Sequence, residues 1–310
     1  LHKGLEAAGV KTKLGFAIEL DPRYLEASLK NNPIWGKDSM AISAPMQEVE
    51  TNLLPKVDIF AGGIPCTGAS VAGRAKNKLK NAEQHESAGT LFLAFLNIIR
   101  AVNPAIVLLE NVPQYGNTVS MQVIRSVLID WGYTIHEAVL DGEELGALEK
   151  RKRLCMVATT TDLEFSFDGI SPVRKKESCL GDILESVPLT GAHWKNSGRF
   201  DAKESRDKAN GKGFRKQVLN NTSATLGTIG RSYMKDRHTE PKIQHPEDPT
   251  IDRLLTPTEH ARLKTLNPSL VDGLSAPMSH EILGQAVIQS AFEAVGLLLG
   301  TSLVLFSSSM

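Results

Sequence analysis

The sequence predicts a doubly wound α/β domain with a mixed sheet, carrying a smaller irregular domain, and three observations lead there. Short apolar runs alternate with amphipathic helical stretches up to about Thr160, the pattern of strands joined by crossover helices. Beyond residue 161, Gly, Pro, Ser and charged residues dominate and hydrophobic periodicity fades. At Thr256-Pro257-Thr258-Glu259 a helix-start signal returns, with Thr at the cap, Pro in the first turn and Glu three positions on. The expected division is 1–160 as the first domain, 161–255 as the second, 256–300 as a segment returning to the first, and 301–310 as a tail.

Taken in order, residues 14–19 (Leu-Gly-Phe-Ala-Ile-Glu) read as a strand ending in an acid. In a nucleotide-binding α/β sheet an acid in that place bonds ribose hydroxyls. Residues 57–60 (Val-Asp-Ile-Phe) read as a buried strand, and Gly62-Gly63 let the backbone turn sharply at its carboxyl end, where open sheets place ligands. Pro65-Cys66 follows the turn. Leu91–Val102 and 123–131 read as helices, 104–109 and 154–159 as strands, and Glu110 stands at a strand end equivalent to that of Cys66. A thiolate and a proton-holding carboxyl facing one pocket suit attack on an electron-poor ring, because the acid neutralises charge pushed onto a ring nitrogen.

The ordered motifs resemble those of the DNA cytosine-C5 methyltransferase family. Pro65-Cys66-Thr67-Gly68-Ala69-Ser70 resembles its Pro-Cys-x-x-x-Ser segment and Ser87-Ala88-Gly89-Thr90-Leu91-Phe92 the start of its next helix. Glu110-Asn111-Val112 is its Glu-Asn-Val, and Glu149-Lys150-Arg151-Lys152-Arg153 resembles its Gln-x-Arg-x-Arg. Residues 253–259 resemble its ninth motif and Gly284-Gln285-Ala286-Val287 its tenth.

The resemblance implies methyl transfer from S-adenosylmethionine to C5 of a cytosine flipped out of duplex DNA. Cys66 is the expected nucleophile at C6, Glu110 the group at N3, and Arg151 and Arg153 the cations holding the base and the active-site groups. Glu19, Leu20, Pro65 and Gln285 are the expected cofactor contacts; Gln285 stands where the family has Asn. Ser70, Arg74, Thr225, Leu226 and Arg231 are the expected DNA contacts, and residues 161–255 the target-recognition domain. Leu148-Glu149 departs from the family's Pro-Gln, which puts that amide's contact in doubt. The first residues, Leu1 to Gly9, resemble the helix that follows the family's Phe-x-Gly-x-Gly cofactor loop, so a truncated reading frame is expected. The strand-like residues 301–309 are a candidate replacement for the strand before that loop.

The 35 basic and 35 acidic side chains cancel, so nucleic-acid binding must rest on local patches. Arg74, Lys76, Lys78 and Lys80 form one; residues 203–216 form another. Three cysteines without Cys-x-x-Cys spacing point to a reducing, cytoplasmic compartment rather than a zinc site, and the histidines lack metal-ligand spacing. The final apolar stretch reads as too short and interrupted to span a membrane. Expected partners are double-stranded DNA and, in a restriction system, a cognate endonuclease; the expected state is a monomer. Two alternatives stay open: a non-catalytic DNA-binding remnant, and an RNA cytosine-C5 methyltransferase.

Overall fold

The structure, a computed structural model, describes residues 1–65, 89–212 and 215–309. The chain divides into two compact units: Leu1–Leu140, Lys152–Ser171 and Glu293–Met310 form the first, and Asp141–Arg151 with Pro172–Phe292 the second. The expected return segment is thereby split between them at Phe292.

In chain order the elements are α1 (His2–Ala7), β1 (Phe16–Glu19), α2 (Pro22–Asn31), β2 (Met40–Ser43), β3 (Ile59–Gly63), α3 (Leu91–Val102), β4 (Ile106–Asn111), α4 (Val119–Asp130), β5 (Tyr133–Asp141), β6 (Glu149–Lys150) and β7 (Lys152–Thr160). There follow β8 (Lys195–Asn196), α5 (Asp201–Ala209), β9 (Gln217–Leu219), β10 (Leu226–Gly227), β11 (Pro241–Gln244), β12 (Ile251–Arg253), α6 (Pro257–Leu263), α7 (Ala276–Gln285) and α8 (Gln289–Ser308).

In the first unit β3, β4, β7 and β5 form a four-stranded sheet in that spatial order, with β3–β4 parallel and β4–β7 antiparallel. The mixed α/β architecture is as expected, but its strands fall in two sheets, because β1 and β2 pair in parallel as a separate ribbon. Packing joins the ribbon to the core: the Phe16 and Phe60 rings stack 6.0 Å apart. On α3 the buried residues Leu91, Ala94, Phe95, Ile98, Ile99 and Val102 recur at helical spacing. Phe95 and Ile98 are fully buried, each worth about 1.5–3 kcal/mol of apolar burial. Asn103, at φ 52°, ends the helix in the left-handed conformation, and Pro104 prevents its continuation. Gly62 leaves room where β3 packs on α3, since a Cβ there would lie 3.0 Å from the Phe95 ring, which would have to shift to admit it. On α4, Thr118 caps the helix by accepting the Met121 N–H, and Met121, Ile124 and Leu128 face the core.

Residues 301–308 are helical, which overturns the strand expected there. They continue α8, whose run over 20 residues is also uninterrupted, contrary to the reading of the apolar stretch as broken. By length and composition alone α8 could cross a membrane, yet Ala294, Val295 and Leu299 are buried within the protein. The physical reason for its placement is a close crossing with α1. A Cβ on Gly4 would lie 2.0 Å from the Glu293 carbonyl oxygen, and one on Gly300 would lie 2.6 Å from the Ala8 Cβ. The serine-rich end is satisfied in helical fashion, with Ser307 and Ser308 hydroxyls both donating to the Val304 carbonyl.

The second unit is built on a small sheet ordered β8, β12, β11, β9, and on a β6–β10 pairing. Its core gathers Leu148, Leu180, Ile183, Leu226, Ile229, Tyr233, Ile243, Leu255 and Leu263. Tyr233 is fully buried, donates to the Pro241 carbonyl at 2.7 Å and accepts the Leu255 N–H at 3.0 Å; burial pushes its phenol up. The capping box predicted at α6 is present: Thr256 Oγ1 accepts the Glu259 N–H and Glu259 Oε2 accepts the Thr256 N–H. Glu259 also holds Arg253 through both guanidinium Nη atoms, at 2.7 and 2.8 Å. His260 and His280 meet through their Nδ1 atoms at 2.9 Å beside Tyr233, and burial lowers the pKa of both, that of His280 to about 4. The single helix expected over 280–299 is broken after Gln285, where Ala286 turns extended at ψ 152°. Gly284 allows its backbone to sit against that of Gly230, only 2.4 Å from where a Cβ would lie.

Two charged side chains, Glu149 and Lys264, are wholly buried in this unit and pair at 2.6 Å. Glu149 accepts the Ile229 N–H through its other oxygen at 3.0 Å. The departure from Gln at position 149 is thus matched by a buried cation, and both carboxylate oxygens are used as acceptors.

Two stability outcomes follow from these contacts. Gly4→Ala should lower stability in urea denaturation by about 1–3 kcal/mol, since backbone must move to admit one methyl group; an unchanged midpoint would mean the α1–α8 crossing is not tight. Lys264→Met should cost about 3–5 kcal/mol by stranding Glu149, and adding Glu149→Gln should restore most of it. A double variant no better than the single one would contradict the pairing.

Candidate active site

The register of β3 and β4 decides what stands at the sheet's carboxyl edge. Pairing runs from Ile59 opposite Ile106 to Gly63 opposite Glu110, so both strands reach the edge at one level. Asn111, 2% exposed, donates from Nδ2 to the Ile64 carbonyl at 3.0 Å, and its Oδ1 accepts the Val112 N–H at 2.9 Å. One buried amide therefore ties the turn after β3 to the end of β4. Pro65 is exposed immediately beyond. Cys66, Ser70, Arg74 and the Lys76–Lys80 patch lie outside the described residues.

Antiparallel pairing sets Cys155 of β7 opposite Glu110 and brings Arg153 alongside. Arg153 Nε lies 2.8 Å from Glu110 Oε1, the two side chains 16% and 23% exposed. Glu110 Oε2 lies over Gly63, 3.3 Å from where a Cβ would be, so a side chain at 63 would crowd the carboxylate. Two of the sequence-predicted residues are thus brought together, on the strand edge that carries Pro65. Cys155 is fully buried, and burial, then the Glu110 charge, pushes its thiol up, so it stays protonated and is unsuited to nucleophilic attack.

On the ribbon of the same unit, Glu19 ends β1 and its Oε1 accepts the Asp21 N–H at 2.9 Å, while Asp21 caps α2 by accepting the Arg23 N–H. Leu20 is 66% exposed. In the second unit, Gln285 is exposed at the end of α7, its Nε2 donating to the Glu281 carbonyl at 3.2 Å.

Arg151 also belongs to the second unit, and its surroundings differ from those of Arg153. It is 4% exposed and donates to the carbonyls of Ile229 and Gly284, both at 3.2 Å, with Glu149 at 3.5 Å. These contacts tie β6 to the turn after β10 and to α7. Leu226 is 3% exposed within the core, so Thr225, half-buried, is the member of that pair nearer the surface. Arg231 is 60% exposed and pairs with Glu281 at 2.7 Å. In the basic region, Lys203, Arg206 and Lys208 are on or beside the exposed face of α5.

Sequence reasoning missed Asn111 and Lys264. The signal for Asn111 was present, a polar amide ending an otherwise apolar strand; Lys264 carried none, because its partner lies 115 residues away.

The sequence pattern described as C-5 cytosine-specific DNA methylase matches residues 1–298. Among curated relatives, the type II methyltransferase M.NlaX of Neisseria lactamica is 27% identical over 95% of this chain and 91% of its own. M.MspI of Moraxella sp is 29% identical over 78% of this chain and 55% of its own. Among solved structures, the Dnmt2 methyltransferase of S. pombe superposes with a TM-score of 0.72 at 18% identity, covering 100% of this chain and 95% of its own, a likeness of fold. With the family's pattern spanning nearly its whole length, the chain belongs to the C-5 cytosine-specific DNA methylase family.

Proposed function

We propose that this chain methylates C5 of a cytosine flipped from duplex DNA, using S-adenosylmethionine and a covalent bond from Cys66 to C6. The observation that supports it most is the shared edge of β3 and β4, where the Asn111 bond to Ile64 holds the chain as far as Pro65, the residue before Cys66, on the strand edge that carries the Glu110–Arg153 pair.

Cys66 bonds to C6 as Glu110 hydrogen-bonds or protonates N3, which draws the charge of the attack away from the ring. Electron density then builds at C5, the carbon that is alkylated. Removal of the C5 proton re-forms the ring double bond and expels the thiol. Arg153 holds one Glu110 oxygen, and its fixed fork keeps the carboxyl group aimed, with the proton given to N3 carried on the other oxygen. Arg151 is read as a scaffold for β6 rather than a base contact, because backbone carbonyls occupy its guanidinium.

S-adenosylmethionine supplies the electrophilic methyl group. The residues present fit it: the Glu19 carboxylate at a strand end can accept ribose hydroxyls, and the bare Leu20 side chain can be covered by adenine. Pro65 and Gln285 are proposed to complete its contacts. In the second unit, proposed as the recognition domain, Thr225 and Arg231 are candidate DNA contacts, with Ser70 and Arg74 candidates outside the described residues. An exposed arginine such as Arg231 can exchange a surface carboxylate for a phosphate or a guanine edge.

The test is intact-mass analysis of the chain mixed with S-adenosylmethionine and random-sequence duplexes carrying 5-fluorocytosine. A methylated protein–DNA adduct should form, vanish in Cys66→Ala, and form at least about a hundredfold more slowly in Glu110→Gln. Methylated DNA made by Cys66→Ala would refute the covalent route. Labelling of tRNA but not DNA would move the substrate to RNA, and DNA binding without any adduct would make the chain a non-catalytic binder.

A further inference from the structure

The second unit holds a cavity of about 430 Å3 that the methyl-transfer chemistry does not use. Its walls include Leu184, Trp194, Asn221, Gln244 and Arg253. Such a volume is within the range of small-molecule sites. Arg253, 4% exposed, gives both Nη atoms to Glu259 and one also to the Leu254 carbonyl, and its Nε is buried out of the cavity's reach, so it lends the wall no free donor.

The walls say what kind of ligand fits. Glu259 neutralises Arg253, and Glu185 also lines the cavity, so the walls carry no net positive charge for a phosphate. His245 adds none: Nδ1 accepts the Glu247 and Asp248 N–H groups, which leaves Nε2 to donate to the Leu189 carbonyl in a neutral ring. The Trp194 indole N–H is taken by the Pro188 carbonyl, and the ring packs against His245 at 4.4 Å with the Arg253 guanidinium 5.6 Å from its centroid, so what this half-buried side chain offers the cavity is aromatic surface rather than a donor. The side-chain amide of Asn221 makes no hydrogen bond among the described residues, and Gln244 makes one long bond, Nε2 to the Pro249 carbonyl at 3.4 Å. Amides set a donor beside an acceptor, the pattern that matches base edges.

We propose that this cavity binds a neutral nucleobase, stacked on Trp194, with its edge read by Asn221 and Gln244. The base arrives either as a free nucleoside or extruded from a nucleic-acid strand; the recognising chemistry is the same. This site stands apart from the methyl-transfer reading and can fail without it.

The experiment titrates the full chain with adenosine, guanosine, cytidine and thymidine by equilibrium dialysis, with saturating S-adenosylhomocysteine present to fill any cofactor site. A second arm compares a duplex bearing one unpaired base with the same duplex abasic at that position. At least one base should bind saturably, and Asn221→Ala and Trp194→Leu should each weaken it on the order of tenfold. Binding confined to the first arm assigns a free nucleoside, and a preference for the unpaired base over the abasic duplex assigns an extruded one. Should Trp194→Leu fail to fold, Asn221→Ala, an exposed side chain, carries the test alone. No base-dependent binding in either arm, or binding that the folded variants leave unchanged, overturns the proposal.

Discussion

The site depends on one buried hydrogen bond, from the Asn111 side chain to the Ile64 carbonyl across 47 residues of chain. Strand pairing alone would bring β3 and β4 to a common edge, but the ladder ends at Gly63 and Glu110, and the backbone beyond is free to take other directions. An amide that satisfies both the departing chain and its own strand end removes that freedom. Because an unsatisfied buried amide is costly, the turn and the strand end are ordered together or not at all. Gly62 and Gly63 contribute by absence, one yielding room to Phe95 and the other to the Glu110 carboxylate.

The second unit follows a different principle, with buried charge in place of apolar volume. Glu149–Lys264 and Arg253–Glu259 are ion pairs whose members are all at most 4% exposed. Such pairs add little net stability over apolar residues of similar size, but breaking one is severe, so they specify which segments must meet. Here they fasten β6 to the segment after α6, and the end of β12 to the first turn of α6. The β6–β10 pairing and the Arg151 bonds act on the same stretch, so 149–151 is a junction of the unit rather than a solvated charge run.

Much of this was legible in the chain. The alternation of apolar and amphipathic stretches announced the sheet, Thr256-Pro257-Thr258-Glu259 announced its helix, and Glu110 and Arg153 were both expected near one site, though not as the pair they form. The failures have physical causes. Residues 301–309 lack any feature separating a helix from a strand, since short apolar runs fit both, and only the Gly296-x-x-x-Gly300 spacing is a mark of a helix crossing. Lys264 drew no reading and Arg151 was read as a base-holding cation, because the partners that bury them are remote in sequence. Leu226 read as a DNA contact from a motif match, whereas its burial comes from the pairing of β10 with β6, which no local pattern encodes.

The most direct measurement is single-turnover methyl transfer by Asn111→Ala alongside S-adenosylmethionine affinity and thermal stability. If the Ile64 bond positions the chain that leads to the proposed nucleophile, transfer should slow on the order of a hundredfold, as for displaced reacting groups, while cofactor affinity and a cooperative unfolding transition persist. Transfer at the unaltered rate in a folded variant would contradict the dependence of the site on that bond.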